Sequence, residues 1–124
     1  MGKRMLTKED IILLFLENPY KLITKMRNKD VFKSKKTREL ICSFGNANVA
    51  YIYSLYIDES PHDLTRKLCC TDPKHATLYA LKVDREPRYD TWASAQKDPY
   101  WSSWYAMYLR NTKKFASEKN LELF

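Results

Sequence analysis

The sequence predicts an all-α fold, a stack of short helical hairpins with an α-solenoid-like repeat of about 26 residues. Three observations carry this. The 124 residues include only two glycines, where an average chain would hold several times more. Tight β-hairpin turns and glycine-rich phosphate cradles both depend on that residue, so both are disfavoured. Next, Asp or Asn recurs at Asn18, Asn46, Asp72 and Asp98, followed by proline at Pro19, Pro73 and Pro99. Such a residue caps a helix by accepting an orphan N–H, and proline is tolerated directly after it. Finally, small and apolar side chains follow each cap at helical spacing. Four residues on stand Ala50, Ala76 and Ser102, and seven on Tyr53, Tyr79 and Tyr105. Eight on stand Ser54, Ala80 and Ala106, and eleven on Ile57, Val83 and Leu109. These positions trace one face of an α-helix.

Taken in chain order, Thr7 and Asp10 form a capping-box-like start to a first helix over the apolar run Ile11–Leu16. A repeat begins at Asn18, but Lys25 and Lys29 stand where its apolar stripe should be, so this first copy is atypical. Terminal repeats often are, because one face meets water. Residues 28–36 read as a basic loop, and Thr37–Phe44 as a helix capped by Thr37. Three regular copies follow from Asn46, in which Pro61 and Pro87 end the first helix and open shorter segments at Asp63–Cys70 and Tyr89–Gln96. Lys113 takes the place of that proline in the last copy, where the short segment is Lys114–Leu121. The connecting loops are expected to need no left-handed residue. A second apolar line, Ile52/Leu55, Leu78/Leu81 and Trp104/Met107, predicts helices packed on two sides.

The length fits one domain over residues 1–124, with a basic, irregular part at 1–44 and regular repeats at 45–124. The net charge of +7 sits almost wholly in the first part, whose 11 basic and 5 acidic residues outweigh the 11 and 10 of the remainder. Cys42, Cys69 and Cys70 are odd in number and form no Cys-x-x-Cys pair, which favours a reducing, cytoplasmic setting. The chain lacks any apolar run of membrane-spanning length.

The cadence Asp-Pro-x-x-Ala-x-x-Tyr-Ala-x-x-Val, with a proline and a short apolar segment after it, resembles two patterns. They are the variant leucine-rich repeat and the Tyr-Ala-x-x-Val helical repeat of bacteriophage proteins. The resemblance covers residues 46–113 and implies a right-handed stack used for scaffolding or binding. It also implies a viral accessory protein that engages a host or defence protein, in the host cytoplasm. The iron–sulfur module of some variant leucine-rich repeat proteins is not carried over, because the cysteines form no cluster.

Catalytic and metal chemistry find little in the sequence. His62 and His75 are the only histidines, and vicinal Cys69 and Cys70 with His75 lack zinc-ligand spacing. Asp58, Glu59, Asp84 and Glu86 fall in the repeat register and read as connecting-loop acids. Asp90 and Trp92 would suit an excision-type enzyme only in a shared cleft, which the sequence does not place. A non-enzymatic, cofactor-free protein-binding module is therefore expected. Its partner-binding candidates are Tyr56, Tyr100, Trp101 and Tyr108, since Trp101 and Tyr108 lie off the main apolar stripe and aromatics dominate interface hot spots. The alternative is nucleic-acid binding through Lys29, Lys33, Lys35, Lys36 and Arg38. Self-association through the ends of the stack is a further option.

Overall fold

A computed structural model describes residues 6–27 and 32–118, with side chains through residue 111. Among the described residues there are eight α-helices and no strand: α1 (Lys8–Glu17), α2 (Pro19–Met26), α3 (Lys35–Ser43), α4 (Ala47–Tyr53), α5 (Asp63–Cys69), α6 (Pro73–Leu78), α7 (Tyr89–Ala95) and α8 (Pro99–Glu118). They pack into one compact helical domain. Thr7 and Asp10 close a reciprocal capping box on α1. Asn18, Asn46 and Asp72 each accept backbone N–H bonds at the starts of α2, α4 and α6. The Asp98 carboxylate does the same for Tyr100 and Trp101 of α8. The predicted cap of α3 is corrected. Ser34, not Thr37, is the cap, and its Oγ accepts from the Thr37 N–H at 3.2 Å. Lys35 and Lys36 are consequently helical rather than loop residues.

Helices α2, α4, α6 and α8 lie side by side in a row. Of the shorter helices, α3 touches α4 and α5, α5 touches α4 and α6, and α7 wedges between α6 and α8. Small residues along the row permit this approach: Ala50, Ala76, Ala80 and Ser54 are fully buried, beside the fully buried rings of Tyr53, Tyr79 and Tyr105. The apolar interior is accordingly three successive clusters. Leu22, Met26, Ile41, Val49, Tyr53 and Ile57 belong to the first. Ala50, Cys69, Tyr79 and Val83 make the second, and Ala80, Ala95 and Tyr105 the third.

Two row helices loosen before they end. The turns Ser54–Asp58 after α4 and Tyr79–Asp84 after α6 are π-helical, and the Glu59 N–H reaches back to the Ser54 carbonyl at 2.9 Å. Each ends on a left-handed residue, Glu59 at φ 54° and Arg85 at φ 57°, which overturns the expectation that the loops avoid this conformation. The chain must reverse before Pro61 and Pro87, and one residue in the left-handed region turns it within a single peptide. Helix α8 has Lys113 in place of proline and runs unbroken through Glu118. No break precedes the expected Lys114–Leu121 segment, whose last residues lie outside the described ones.

Helices α5 and α7 start at His62 and Arg88 without any side-chain cap. A buried tyrosine hydroxyl from the next row helix instead bonds the cap residue itself. Tyr79 Oη accepts the His62 N–H at 3.0 Å and lies 2.7 Å from Thr65 Oγ1 and 3.1 Å from the His62 carbonyl oxygen. Tyr105 Oη meets the Arg88 N–H, Thr91 Oγ1 and the Arg88 carbonyl oxygen at 3.0, 2.8 and 3.2 Å. Tyr53 Oη donates to the Phe32 carbonyl instead, because Ser34 already caps α3.

Tyr79→Phe strands the His62 N–H and is expected to destabilise the domain by about 1–3 kcal/mol. Tyr105→Phe should act similarly at α7, and urea denaturation of both variants checks the claim. Burial holds the Tyr105 phenol above its ordinary pKa. Below about pH 10 the phenol is neutral in both folded and unfolded chains; above it the unfolded chain ionises first and stability falls. Wild type should therefore lose more stability than Tyr105→Phe between about pH 9 and pH 11, the span of phenol ionisation. Gly45 adopts φ +67°, and a methyl group on its Cα would meet no neighbour within 4 Å. Gly45→Ala should therefore cost about 1 kcal/mol from backbone conformation alone, read in the same urea experiment.

Candidate protein-binding surface

The last row helix has no successor among the described residues, and its outward face shows the result. Ile52 on α4, Leu78 on α6, and Leu55 and Leu81 in the turns that follow them are half-buried. Trp104 and Met107 hold the corresponding places on α8 and are 44% and 47% exposed. Tyr100 lies one turn earlier, 61% exposed, with its ring 6.5 Å from that of Trp104. Tyr100, Trp104 and Met107 are spaced i, i+4, i+7 and share one side of the helix.

This revises which aromatics face out. Trp101, expected on the exposed surface, is half-buried with its ring edge-on to Tyr100 at 5.0 Å. Tyr108 is also half-buried; its hydroxyl donates to the Ala80 carbonyl at 3.4 Å and its ring packs on Tyr105. Trp104 and Met107, expected in the core, are the exposed pair. Helical period alone ranks positions by angle and does not decide which angle stays open. Tyr56 is exposed, but it lies in the turn after α4, with the Arg27 guanidinium 4.8 Å above its ring. Helix α6 stands between it and α8 in the row, so Tyr56 and the α8 residues form separate patches.

The basic candidates also divide. Lys29 lies outside the described residues. Lys33 Nζ pairs with Glu59 Oε1 at 2.8 Å and holds that carboxyl below its ordinary pKa. Lys35 and Lys36 are exposed in the first turn of α3. Arg38 points inward, where Nε and Nη2 donate to Asp58 Oδ2 and Oδ1 at 2.8 and 3.2 Å.

Asp58 and Asp84 are therefore not loop acids; each carboxylate is buried in an ion pair. Arg66 Nε and Nη2 fork onto Asp84 at 2.6–3.2 Å, while Nη1 donates to Asp63 at 2.6 Å. The hydrogen bonds to Asp84 raise the Arg66 pKa further, so the guanidinium stays charged. Sequence reading misses both pairs, although their signal is present. Asp58 and Asp84 lie twelve residues after Asn46 and Asp72, and Arg38 and Arg66 lie twenty after Asn18 and Asn46. Trp92 and Arg110 stand at the next such positions, so the series of pairs ends there.

Burial pushes the Cys42 and Cys70 thiols up to about 11, which suppresses the nucleophilic thiolate. Cys69 is buried with its Sγ 3.6 Å from the Ala47 carbonyl oxygen. The His75 ring bridges the Asp72 carboxylate and Asn48 Oδ1, and Asn48 Nδ2 donates to Tyr20 Oη, linking α6, α4 and α2. Asp90 is exposed and Trp92 half-buried against Tyr89. Among the described residues no three His, Cys, Asp or Glu side chains are grouped to hold a metal ion. No described helix is long and apolar enough to cross a membrane. No protein-family model, curated protein or solved structure matches the chain.

Arg66→Ala leaves Asp84 buried without its partner and should cost about 3–5 kcal/mol. Replacing both, Arg66→Met with Asp84→Leu, should recover most of that loss. Chemical denaturation of the single and double variants reads the difference, and equal losses in both would show that the pair itself contributes the stability.

Proposed function

We propose that this chain is a non-enzymatic protein-binding module, a right-handed α-solenoid-like stack that docks a partner through the outer face of α8. One observation carries the reading: Trp104 and Met107 stand exposed where the corresponding Ile52, Leu55, Leu78 and Leu81 of the earlier row elements are half-buried. Aromatic and methionine side chains on one helix face, with Arg110 following in the same helix, have the composition of an interface centre. The recurrence of the tyrosine–threonine clamp and the arginine–aspartate pair supports the stacked-repeat interpretation. The resemblance to bacteriophage helical repeats suggests the setting, a virally encoded accessory protein that engages a host or defence protein.

A second reading, nucleic-acid binding, draws on exposed Lys35 and Lys36 at the start of α3. It would give an affinity that falls steeply with salt. The engagement of Arg38 by Asp58 removes one cation from the set on which it rested.

Affinity capture from host lysate, with and without nuclease, tests both readings. Trp104→Ala should leave the thermal midpoint nearly unchanged, since the ring is exposed, and reduce capture of the partner at least about tenfold. Capture that survives Trp104→Ala and Met107→Ala would refute the α8 site, and nuclease-sensitive capture would favour the second reading.

A further inference from the structure

We propose a second contact site at the opposite end of the row, a groove between α1 and the start of α3 that takes an acidic, apolar peptide segment of the partner. The proposal rests on the protein-binding reading and adds the chemistry of what is bound. The groove encloses about 510 Å³ and its apolar wall is formed by Leu6, Ile11, Phe32 and Leu40. Lys8 and Lys36 stand on it as exposed side chains, and no described carboxylate lines it. Neither lysine has an ion-pair partner among the described residues, whereas nearby Lys33 and Arg38 are engaged by Glu59 and Asp58. The remaining polar lining residues, Ser34 and Thr37, bond to each other at 2.9 Å in capping α3.

Apolar walls beneath two cations without an ion-pair partner among the described residues select a ligand carrying both features. Leucine or phenylalanine side chains enter the groove, and flanking carboxylates meet Lys8 and Lys36. A phosphate backbone would gain from the lysines but nothing from Leu6, Ile11, Phe32 and Leu40, so the observations favour a peptide over a nucleic acid. The volume lies inside the range of about 300–1,000 Å³ typical of ligand sites. The concentration of positive charge in the first 44 residues would steer such a segment to this end of the molecule.

The test uses the full chain and a fluorescein-labelled hexapeptide alternating Glu with Leu or Phe, followed by fluorescence anisotropy. Saturable binding is expected, weakened at least about tenfold by Lys8→Glu with Lys36→Glu and by raised salt. Leu6→Ser should weaken it as well, with circular dichroism confirming that each variant is folded. A control peptide with Lys in place of Glu should not bind. The proposal is overturned by no peptide binding up to about 1 mM, by equal binding of the control peptide, or by indifference to the lysine reversal. Binding of dodecanoate or of a DNA duplex without binding of the acidic peptide overturns it too, in favour of a lipid-like or phosphate ligand. Partner capture that depends on Trp104, in a chain whose groove binds no peptide, would leave the protein-binding reading standing and remove this one alone.

Discussion

A phenol hydroxyl ties each of two successive helix pairs, α4–α5 and α6–α7, to the row helix that follows it. Helices α5 and α7 begin on His62 and Arg88, whose side chains do not cap them, and the backbone N–H of each of these residues is bonded by Tyr79 or Tyr105 of the following row element. The start of one helix is thus completed only when the next unit has docked. The small residues beside each tyrosine follow from this constraint, because the ring reaches its target only if the two backbones approach closely. A buried, fully bonded polar group also fixes position more sharply than apolar contact, since any slip strands a donor. The arginine–aspartate pairs add a second set of directional bonds between successive units.

Much of this is legible in the sequence, and what is not has physical causes. The Asn and Asp caps, the buried alanine–tyrosine face and the segments α5 and α7 are all readable, because each depends on local rules of capping and helical period. Ser34 and Thr37 suit a cap equally well as residue types; the choice turns on which hydroxyl can reach the free N–H. The left-handed Glu59 and Arg85 carry no such signal, since neither is a residue that favours that conformation; each simply follows a π-helical turn as its C-cap.

The candidate surface is only half legible. Tyr100 lies on the exposed face, but Trp101 and Trp104 exchange the environments that the sequence suggests for them. The heptad offset of Trp101 and Tyr108 marks a face off the main stripe, yet on α8 Tyr108 turns toward Tyr105 and Ala80. Exposure of Trp104 depends on what packs beside α8, which helical period alone does not give. The ion pairs escape for a different reason. Aspartates near a helix end look solvated until the arginine that reaches them, in the preceding unit, is considered with them.

The three separate apolar clusters bear on how the domain loses its structure. A protein with one central core tends to melt as a whole, since every element borrows stability from the same interior. Here Tyr105 and Ala95 at the α8 end share no cluster with Leu22 and Ile41 near the beginning, and the middle cluster is the intermediary. Cooperativity is then transmitted from neighbour to neighbour, as in one-dimensional chains of coupled units. Among the described residues the first cluster is the largest and the third the smallest, an order under which unzipping would begin at the α8 end. The helix that offers the exposed aromatic face would then also be the first released.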